Sequence, residues 1–132
     1  MHYHTKISAP SIEAFQNAFA MAMAKVIDND TNEVIIFVQG KTNLDGIISD
    51  AIGGIATKLQ KSGATKIGSV NVFLETEEIK STFSSGVIIA SHVSNKLLGK
   101  ILADPRATDT VYVPWASEEL DDYLKNNQST EI

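Results

Sequence analysis

The segment Glu33–Gly54 (EVIIFVQGKTNLDGIISDAIGG) constrains the fold of this chain more than any other. Every residue of Val34–Val38 is apolar, which is typical of a strand that is buried on both faces of a parallel sheet. A short polar turn comes next, and apolar residues then recur at spacings of three and four, the period of an amphipathic helix. Those residues are Leu44, Ile47, Ile48, Ala51, Ile52, Ile55 and Leu59. Strand, turn and helix in this order predict one βα unit of an α/β fold.

The rest of the chain repeats this alternation of strands and helices. The other predicted strands are His2–Ile7, Val70–Leu74, Gly86–Ser91 and Thr110–Val113. The other predicted helices run from Ser11 to Asp28, from Ser94 or Asn95 to Leu102, and from Ser117 onward. Short turns between these elements favour parallel βαβ crossovers. We therefore expect an α/β fold of Rossmann-like or flavodoxin-like type: a three-layer sandwich with a mostly parallel four- to five-stranded sheet and helices on both faces.

A chain of 132 residues fits one domain with a core of its own. We assign residues 1–126 to a single α/β domain and residues 127–132 (NQSTEI) to a frayed polar tail, because terminal segments are poorly ordered unless they are tied down. The segment Glu75–Ser85 (ETEEIKSTFSS) is also polar. It fits either a short helix or a loop over the edge of the sheet.

Composition excludes several classes of protein. A formal net charge of −5 disfavours binding to duplex nucleic acid, which requires a basic face. The chain has no cysteine, so disulfides, thiol nucleophiles and thiolate zinc sites are excluded. The most apolar early stretch, Ala18–Ala24, is too short to span a bilayer and follows polar residues that a secretory signal would not tolerate well. We therefore expect a cytoplasmic protein with no membrane partner.

The first predicted helix is apolar around most of its circumference. Phe15 and Phe19 belong to one stripe at helical spacing, and Met21 and Met23 extend the apolar surface beyond that stripe. A helix of this kind is usually covered on two sides. The second cover is either another copy of the chain, which would make the protein a homo-oligomer, or a loop or the C-terminus of the same chain.

Ligands of open parallel sheets bind beyond the carboxyl ends of the strands. The turn after the central strand, Gly40-Lys41-Thr42-Asn43, invites comparison with a phosphate-binding loop. That motif needs another glycine five residues before Gly40, where this chain has Ile35. Lys41, Thr42 and Asn43 therefore stay candidates for contact with one anion or nucleotide phosphate. In the alternative, Gly40 makes the turn, Thr42 or Asn43 caps the helix, and Lys41 is solvated.

His92 follows a predicted buried strand and precedes a predicted helix at the same edge of the sheet. There it can act as a general base, or accept a phosphoryl group whose charge the helix dipole favours. Ser91 and Asn95 are candidate supporting residues. Ser91 is a poor nucleophilic partner for His92, because neighbours on an extended strand point to opposite faces. The alternative is a histidine in a polar turn that performs no chemistry.

Three further features are compatible with binding. Glu75 and the acidic residues after it can bind a cation or act in acid–base catalysis, or they form a solvated loop. Trp115, the only tryptophan, is either a stacking platform in the site or a cover over the core or a subunit contact. His2 and His4 can share one face of the first strand, but no third ligand is in view, so we predict no metal site.

The segment 107–124, ATDTVYVPWASEELDDYL, resembles the last strand and helix of response-regulator receiver domains, in which a Lys-Pro-aromatic turn precedes a Glu-Glu-Leu helix. Val113 stands where that family has its lysine, and Glu75 stands where it has the phosphorylated aspartate. The resemblance implies a doubly wound topology without receiver chemistry.

No complete catalytic motif is present in the sequence. We therefore predict a small binding or regulatory module that forms a homo-oligomer and takes a small anionic ligand. One alternative is a phosphocarrier or hydrolase-type enzyme that uses His92, and another is a nucleotide- or phosphate-binding domain that uses the turn Gly40–Asn43. The sequence does not identify a cofactor. The candidate ligand-binding residues are Lys41, Thr42, Asn43, Glu75, Ser91, Asn95 and Trp115.

Overall fold

A computed structural model describes residues 1–6, 10–44 and 46–132. Within those ranges the chain forms seven strands and five α-helices. The strands are β1 (His2–His4), β2 (Glu33–Val38), β3 (Ala64–Ile67), β4 (Val70–Glu75), β5 (Gly86–Ser91), β6 (Ala107–Val113) and β7 (Thr130–Glu131). The helices are α1 (Ile12–Asp28), α2 (Ile47–Ile52), α3 (Gly54–Ser62), α4 (Asn95–Leu102) and α5 (Ser117–Asn126). A single-turn 3₁₀ helix, Lys41–Leu44, follows β2.

The strands form one sheet in the order β3-β4-β2-β5-β6-β1-β7. Every neighbouring pair is parallel except β3 and β4, which are antiparallel. An α/β fold with a mostly parallel sheet is thus confirmed, whereas the expected count of four or five strands is too low. The order matches neither the 3-2-1-4-5-6 order of dinucleotide-binding folds nor the 2-1-3-4-5 order of flavodoxin-like folds.

The strand β1 lies inside the sheet, between β6 and β7. Its residues pair in parallel with β6, so that Tyr3 faces Val111 across the ladder. The prediction that this segment forms a strand is confirmed for His2–His4. The predicted strand extended to Ile7, which lies outside the described residues.

Apolar side chains of β2 alternate between two cores, as the period of a strand requires. Val34, Ile36 and Val38 pack with residues of α1, α2 and α3. Ile35 and Phe37 pack on the opposite side with residues of α4 and α5. We call these two sides of the sheet the α1 face and the α4 face.

The helix predicted after β2 is interrupted. Gly53 has φ +56°, a conformation that residues with a side chain rarely adopt, and it separates α2 from α3. The predicted caps are not formed, because α2 begins after Gly46 without a side-chain cap. Asn43 instead accepts a hydrogen bond from the Gly40 N–H within the turn.

The edge strand β3 was not predicted. It follows Gly63, which ends α3 in the left-handed conformation expected of a C-terminal glycine. Its side chains alternate between exposed and half-buried, so it has no apolar run that would mark a strand. A turn with Gly68 at φ +58° joins it to β4. The hairpin therefore adds one antiparallel strand to the edge of the sheet.

The last residues form a short strand beside β1. Thr130–Glu131 pairs in parallel with β1, and the Ile132 N–H donates to the His4 carbonyl at 2.9 Å. Ser129 Oγ lies 2.7 Å from His4 Nδ1 and accepts a hydrogen bond from the Tyr123 hydroxyl at 2.9 Å. Backbone pairing with an open strand edge orders this segment despite its polar sequence.

The helix α1 packs on the sheet and also against α2, where Gln16 Nε2 donates to the Ala51 carbonyl at 3.3 Å. Phe15 is fully buried, so its predicted contact with a second copy is wrong. Phe19, Met21 and Met23 are half-buried against the same core. No helix in the described part of the chain has the length and apolarity needed to cross a membrane.

Candidate functional site

The carboxyl end of β2 is where the chain connections diverge. After β2 the chain passes to the α1 face, where Leu44 and Ile48 join the core. After β4 and β5 it passes to the α4 face, where Phe83 and Leu97 join the other core. The chain segments that follow β4 and β5, the two neighbours of β2, therefore pass to the face of the sheet opposite to the segment that follows β2. Such divergence opens crevices in which α/β proteins commonly bind ligands.

The crevice between β2 and β5 is closed by a side chain. Gln39 Oε1 accepts a hydrogen bond from the Ser94 N–H at 2.9 Å, which joins the two turns. The Ser94 hydroxyl in turn accepts from the Leu97 N–H and caps α4, as the sequence predicts. At the beginning of α4, the N–H groups of Ser94 and Leu97 are therefore already occupied by protein groups.

The crevice between β2 and β4 is open. A cavity of about 590 Å³ lies between the turn Gln39–Lys41 and the segment 76–79. A second cavity of about 410 Å³ adjoins it and extends to the edge of the sheet beyond β3. The two cavities share Lys41 and Ile79. We call the second cavity the lysine cleft, because Lys41, Lys61 and Lys80 line it.

The three lysines of the lysine cleft come from separate elements. Lys41 belongs to the 3₁₀ helix, Lys61 to the last turn of α3, and Lys80 to the loop after β4. No carboxylate is among the described residues that line this cleft. Within residues 1–6, 10–44 and 46–132, none of the three forms an ion pair. This concentration of positive charge occurs in a chain whose formal net charge is −5.

The floor of the lysine cleft is apolar. Leu59 and Leu74 are buried beneath it, and Phe73 and Ile79 complete the apolar part of the lining. The hydroxyl of Ser62 lies at the rim but is already bonded to the carbonyls of α3 and β3. The cleft thus combines a positively charged rim with an apolar base, the composition expected of a pocket for a small organic ligand.

One wall of the cleft is the loop 76–85, which Glu75 holds at its beginning. The fully buried Glu75 carboxylate accepts hydrogen bonds from Arg106 Nη1 and Nη2, both at 3.0 Å, and from the N–H and hydroxyl of Ser81. Burial by itself raises the pKa of Glu75. The bonds from Arg106 and Ser81 outweigh burial and bring this pKa below its ordinary value, so the group stays ionised.

A second carboxylate holds the end of the same loop. Glu33 Oε1 accepts hydrogen bonds from the N–H and hydroxyl of Ser84 and from the N–H of Ser85. Phe83 between them is buried in the core of the α4 face, and the Arg106 guanidinium lies over its ring at 5.2 Å from the centroid. The loop contains no helix, yet these contacts fix its path across the sheet.

The predicted acidic cluster disperses. Glu75 faces Arg106, whereas Glu77 forms an exposed ion pair with Lys100 at 3.1 Å. His2 and His4 are each bonded through Nδ1, to Thr110 at 2.6 Å and to Ser129 at 2.7 Å. Among the residues that the structure describes, no three acidic or histidine side chains are placed to hold a metal ion.

The turn Gly40–Asn43 is closed on itself. The Gly40 N–H donates to Asn43 Oδ1 at 2.8 Å, and the Asn43 N–H donates to the Gly40 carbonyl at 2.9 Å. Two of the N–H groups that could face a phosphate are therefore occupied. The exposed side chain of Lys41 is the part of the turn that reaches a cavity with the other lysines.

His92 lies at the other side of β2 and has φ +52°, in the left-handed region. Its N–H donates to the Val113 carbonyl at 2.9 Å, and its Nε2 is buried without a partner among the described residues. The Trp115 ring meets the imidazole edge to face, with 4.7 Å between centroids. Burial lowers the pKa of His92, and the nearby Glu119 charge opposes this shift only in part.

The candidate residues fall into separate groups. Lys41 lines the lysine cleft, the ring of His92 contacts that of Trp115, and Glu75 is paired with Arg106. Ser91 is buried, and its hydroxyl has no partner in the described chain. Asn95 lines a shallow cavity of about 330 Å³ between α4 and α5. Thr42 and Asn43 are exposed.

Lys61 and Lys80 were missed by the sequence reasoning. Each is one of several lysines scattered along the chain, and neither stands in a motif. The path of the loop after β4 and the end of α3 bring them together, and both depend on long-range contacts. A signal for the cleft was therefore absent from the local sequence.

Comparison with known proteins adds no identification: the chain matches no protein-family model, and no curated protein or solved structure shows significant similarity to it.

Proposed function

We propose that the protein is a small α/β binding module of the cytoplasm that takes an anionic small molecule in the lysine cleft. The observation that carries this proposal is the convergence of Lys41, Lys61 and Lys80 on one cavity of about 410 Å³ without a carboxylate among its described lining residues. Several ammonium groups around one partly enclosed cavity attract negative charge more strongly than scattered surface lysines do.

The proposal is tested by calorimetric titration of the full chain with a panel of anionic metabolites and nucleotides at low ionic strength, with neutral analogues alongside. We expect at least one anion to bind and to raise the melting temperature, since a ligand at a hundred times its Kd adds about 2.7 kcal/mol of stability. Neutral analogues should bind more weakly, and added salt should weaken the binding of the anion.

Two variants in the same helix make the location of the site testable. Lys61→Ala should weaken anion binding, because it removes one of the three ammonium groups. Lys58→Ala removes an exposed lysine of α3 that does not line the cleft, so it should leave binding unchanged. Equal binding by the wild-type chain, Lys61→Ala and Lys80→Ala would place the anion elsewhere and reject the lysine cleft.

Self-association through α1 is also part of the proposal. Its support is a stripe of apolar side chains at helical spacing along α1 that the core covers only in part: Ile12, Phe19, Met23 and Ile27. Of these, Ile27 is 71% exposed. Light scattering should detect a dimer or larger species that Ile27→Ser weakens and that Leu124→Ser, at the exposed Leu124 of α5, does not. A monomer at high micromolar concentration would reject this part.

A second candidate function, phosphoryl transfer or general-base catalysis at His92, is favoured by the conformation of that residue. A left-handed backbone and a buried Nε2 without a partner among the described residues are features that cluster at functional sites. Incubation with labelled phosphoryl donors and ester substrates tests it. His92→Asn, which tolerates the same backbone, should abolish labelling or turnover, while His2→Asn should not. Failure of the wild-type chain to react would end this candidate.

The architecture proposed for this module is a three-layer sandwich related to Rossmann-like or flavodoxin-like folds. Its support is the pair of cores on opposite sides of the sheet, one with α1, α2 and α3 and the other with α4 and α5. An experimental structure that placed α4 and α1 on the same face would reject it.

A further inference from the structure

The charge and shape of the lysine cleft bear on the kind of anion it takes, an inference that rests on the function proposed above. Its lining includes three lysines from three separate elements, so positive charge reaches the cavity from several directions. Each lysine presents a compact point charge on a flexible stem, suited to an oxyanion that several donors approach from different sides. Arginine, whose planar fork pairs with carboxylates and phosphates alike, is absent from the described lining, so the choice between these two anions depends on their charge.

The number of positive charges favours a dianion over a monoanion. Coulomb attraction grows with the product of the charges, so a ligand with two charges gains about twice as much from the same rim. A phosphate monoester carries about two negative charges at pH 7 and has three strong acceptor oxygens, as estimated for phosphorylated side chains. Three ammonium groups can thus each meet one oxygen. A carboxylate offers one charge and two oxygens.

The floor of the cleft favours a ligand with an apolar part. The apolar residues of its lining are Leu59, Phe73, Leu74 and Ile79, and a cavity of about 410 Å³ is larger than a phosphate group alone can fill. Pockets for small organic ligands are generally of a few hundred cubic ångströms with mainly apolar lining. Inorganic phosphate would use the rim and leave the floor in contact with water.

The wall that supplies Lys80 is held in place before any ligand arrives. The loop 76–85 is fixed by Glu75 at one end and by Glu33 at the other, through bonds to Ser81, Ser84 and Ser85. A site whose walls are already ordered loses less conformational entropy on binding. We propose that the lysine cleft binds a phosphate monoester whose organic part is apolar. The phosphate would lie at Lys41, Lys61 and Lys80, and the organic part would lie against the apolar lining residues, among them Phe73.

The test compares four probes by titration of the full chain at one ionic strength: phenyl phosphate, benzoate, inorganic phosphate and phenol. Phenyl phosphate should bind at least tenfold more tightly than each of the other three. Each of the substitutions Lys41→Ala, Lys61→Ala and Lys80→Ala should weaken the binding of phenyl phosphate at least fivefold. Lys96 is an exposed lysine of α4 that does not line the cleft, so Lys96→Ala should change the affinity for phenyl phosphate by less than twofold.

The outcomes separate this inference from the function on which it rests. Benzoate binding as tightly as phenyl phosphate, with sensitivity to the lysine variants, overturns the dianion and keeps the anion-binding module. Inorganic phosphate binding as tightly as phenyl phosphate overturns the role of the apolar floor. If none of the charged probes binds, or if binding ignores all three lysine variants, both the inference and the proposed function fail.

Discussion

Tyr112 is fully buried, and its hydroxyl has no hydrogen-bond partner among the described residues. Burial, with the nearby Glu119 charge as a second cause, raises the pKa of Tyr112 well above its ordinary value. An unsatisfied buried donor costs about 1–3 kcal/mol. Tyr112→Phe should therefore keep or increase the free energy of unfolding, measured in urea.

The neighbouring Tyr123 supplies the control for that substitution. Its ring centroid lies 4.9 Å from that of Tyr112, and its hydroxyl donates to Ser129 at 2.9 Å. Tyr123→Phe should lower the free energy of unfolding by about 0.5–1.5 kcal/mol, the usual net value of a hydrogen bond. A loss of that size in Tyr112→Phe as well would mean that the Tyr112 hydroxyl is bonded in solution.

Gly86 begins β5 at a position that has no room for a side chain. A Cβ there would lie 1.9 Å from the carbonyl oxygen of Glu33 on the neighbouring strand, and backbone atoms can yield only by moving the strands apart. Gly86→Ala should lower the free energy of unfolding by about 1–3 kcal/mol, or more if the strands separate, as overpacked cores do.

Gly99 gives the opposite expectation in the same assay. It lies within α4, and a Cβ there would meet no atom within 4 Å. Gly99→Ala should raise the free energy of unfolding by about 0.8–1 kcal/mol, because alanine favours a helix over glycine by that amount. If Gly86→Ala did not lower the free energy of unfolding, the close approach of β5 to Glu33 would be wrong.

At the scale of elements, the loop 76–85 depends on Glu75. Removing one partner of a buried ion pair lowers the free energy of unfolding by about 3–5 kcal/mol. We expect a smaller loss from Glu75→Gln, because Arg106 is partly exposed and still forms its ion pair with Asp104. Hydrogen exchange should accelerate at Ser81 and Phe83. Glu77→Gln is the control, since its exposed pair with Lys100 contributes about 0–1 kcal/mol. Equal effects of the two changes would contradict the anchoring role of Glu75.

Local signals predicted the elements that carry them. The apolar run of β5 and the Ser94 cap of α4 identified those elements at the bounds that the structure has, and the apolar run of β2 identified all of that strand except Glu33. The edge strand β3 and the strand β7 carry no such run, because each is exposed on at least one side and is ordered by pairing with β4 or β1. Sequence periodicity reports burial, so strands held by backbone pairing escape it.

The lysine cleft shows the same limit for a site. Lys41 could be singled out because it follows a strand, whereas Lys61 and Lys80 stand in no recognisable pattern. Only the end of α3 and the anchored path of the loop after β4 bring the three together. The position of the site at the carboxyl end of β2 was predictable from the order of strands and helices, but its charge was not.

For the whole molecule, stability should depend on pH in two steps. Burial is the largest cause that lowers the pKa of His2, His4 and His92 from the ordinary 6.5. The unfolded chain then binds more protons than the folded one below pH 6.5. The free energy of unfolding should therefore be greatest above that pH and fall as the pH drops below it.

The second step lies at lower pH. The pKa values of Asp104 and Glu75 lie below their ordinary 3.8 and 4.5 because of their bonds to Arg106, which at Glu75 outweigh burial. Their contribution is complete above those ordinary values and is lost as the pH falls through the lowered ones. Urea unfolding from pH 8 to 3 measures both steps. His92→Asn should reduce the loss of stability between pH 7 and 5. A free energy of unfolding that does not change over this range in the wild-type chain would contradict the first step.

The position of β1 has a consequence for how the protein is made. His2 lies beside Thr110 in the sheet, although 108 positions separate them in the chain. A ribosome that has released β1 must therefore synthesise four more strands before it reaches β6, the first neighbour of β1. The strands β2, β4 and β5 can pair in the meantime, whereas β1 has to wait unpaired, exposed to aggregation or to chaperones. The first strand to emerge is among the last to enter the sheet.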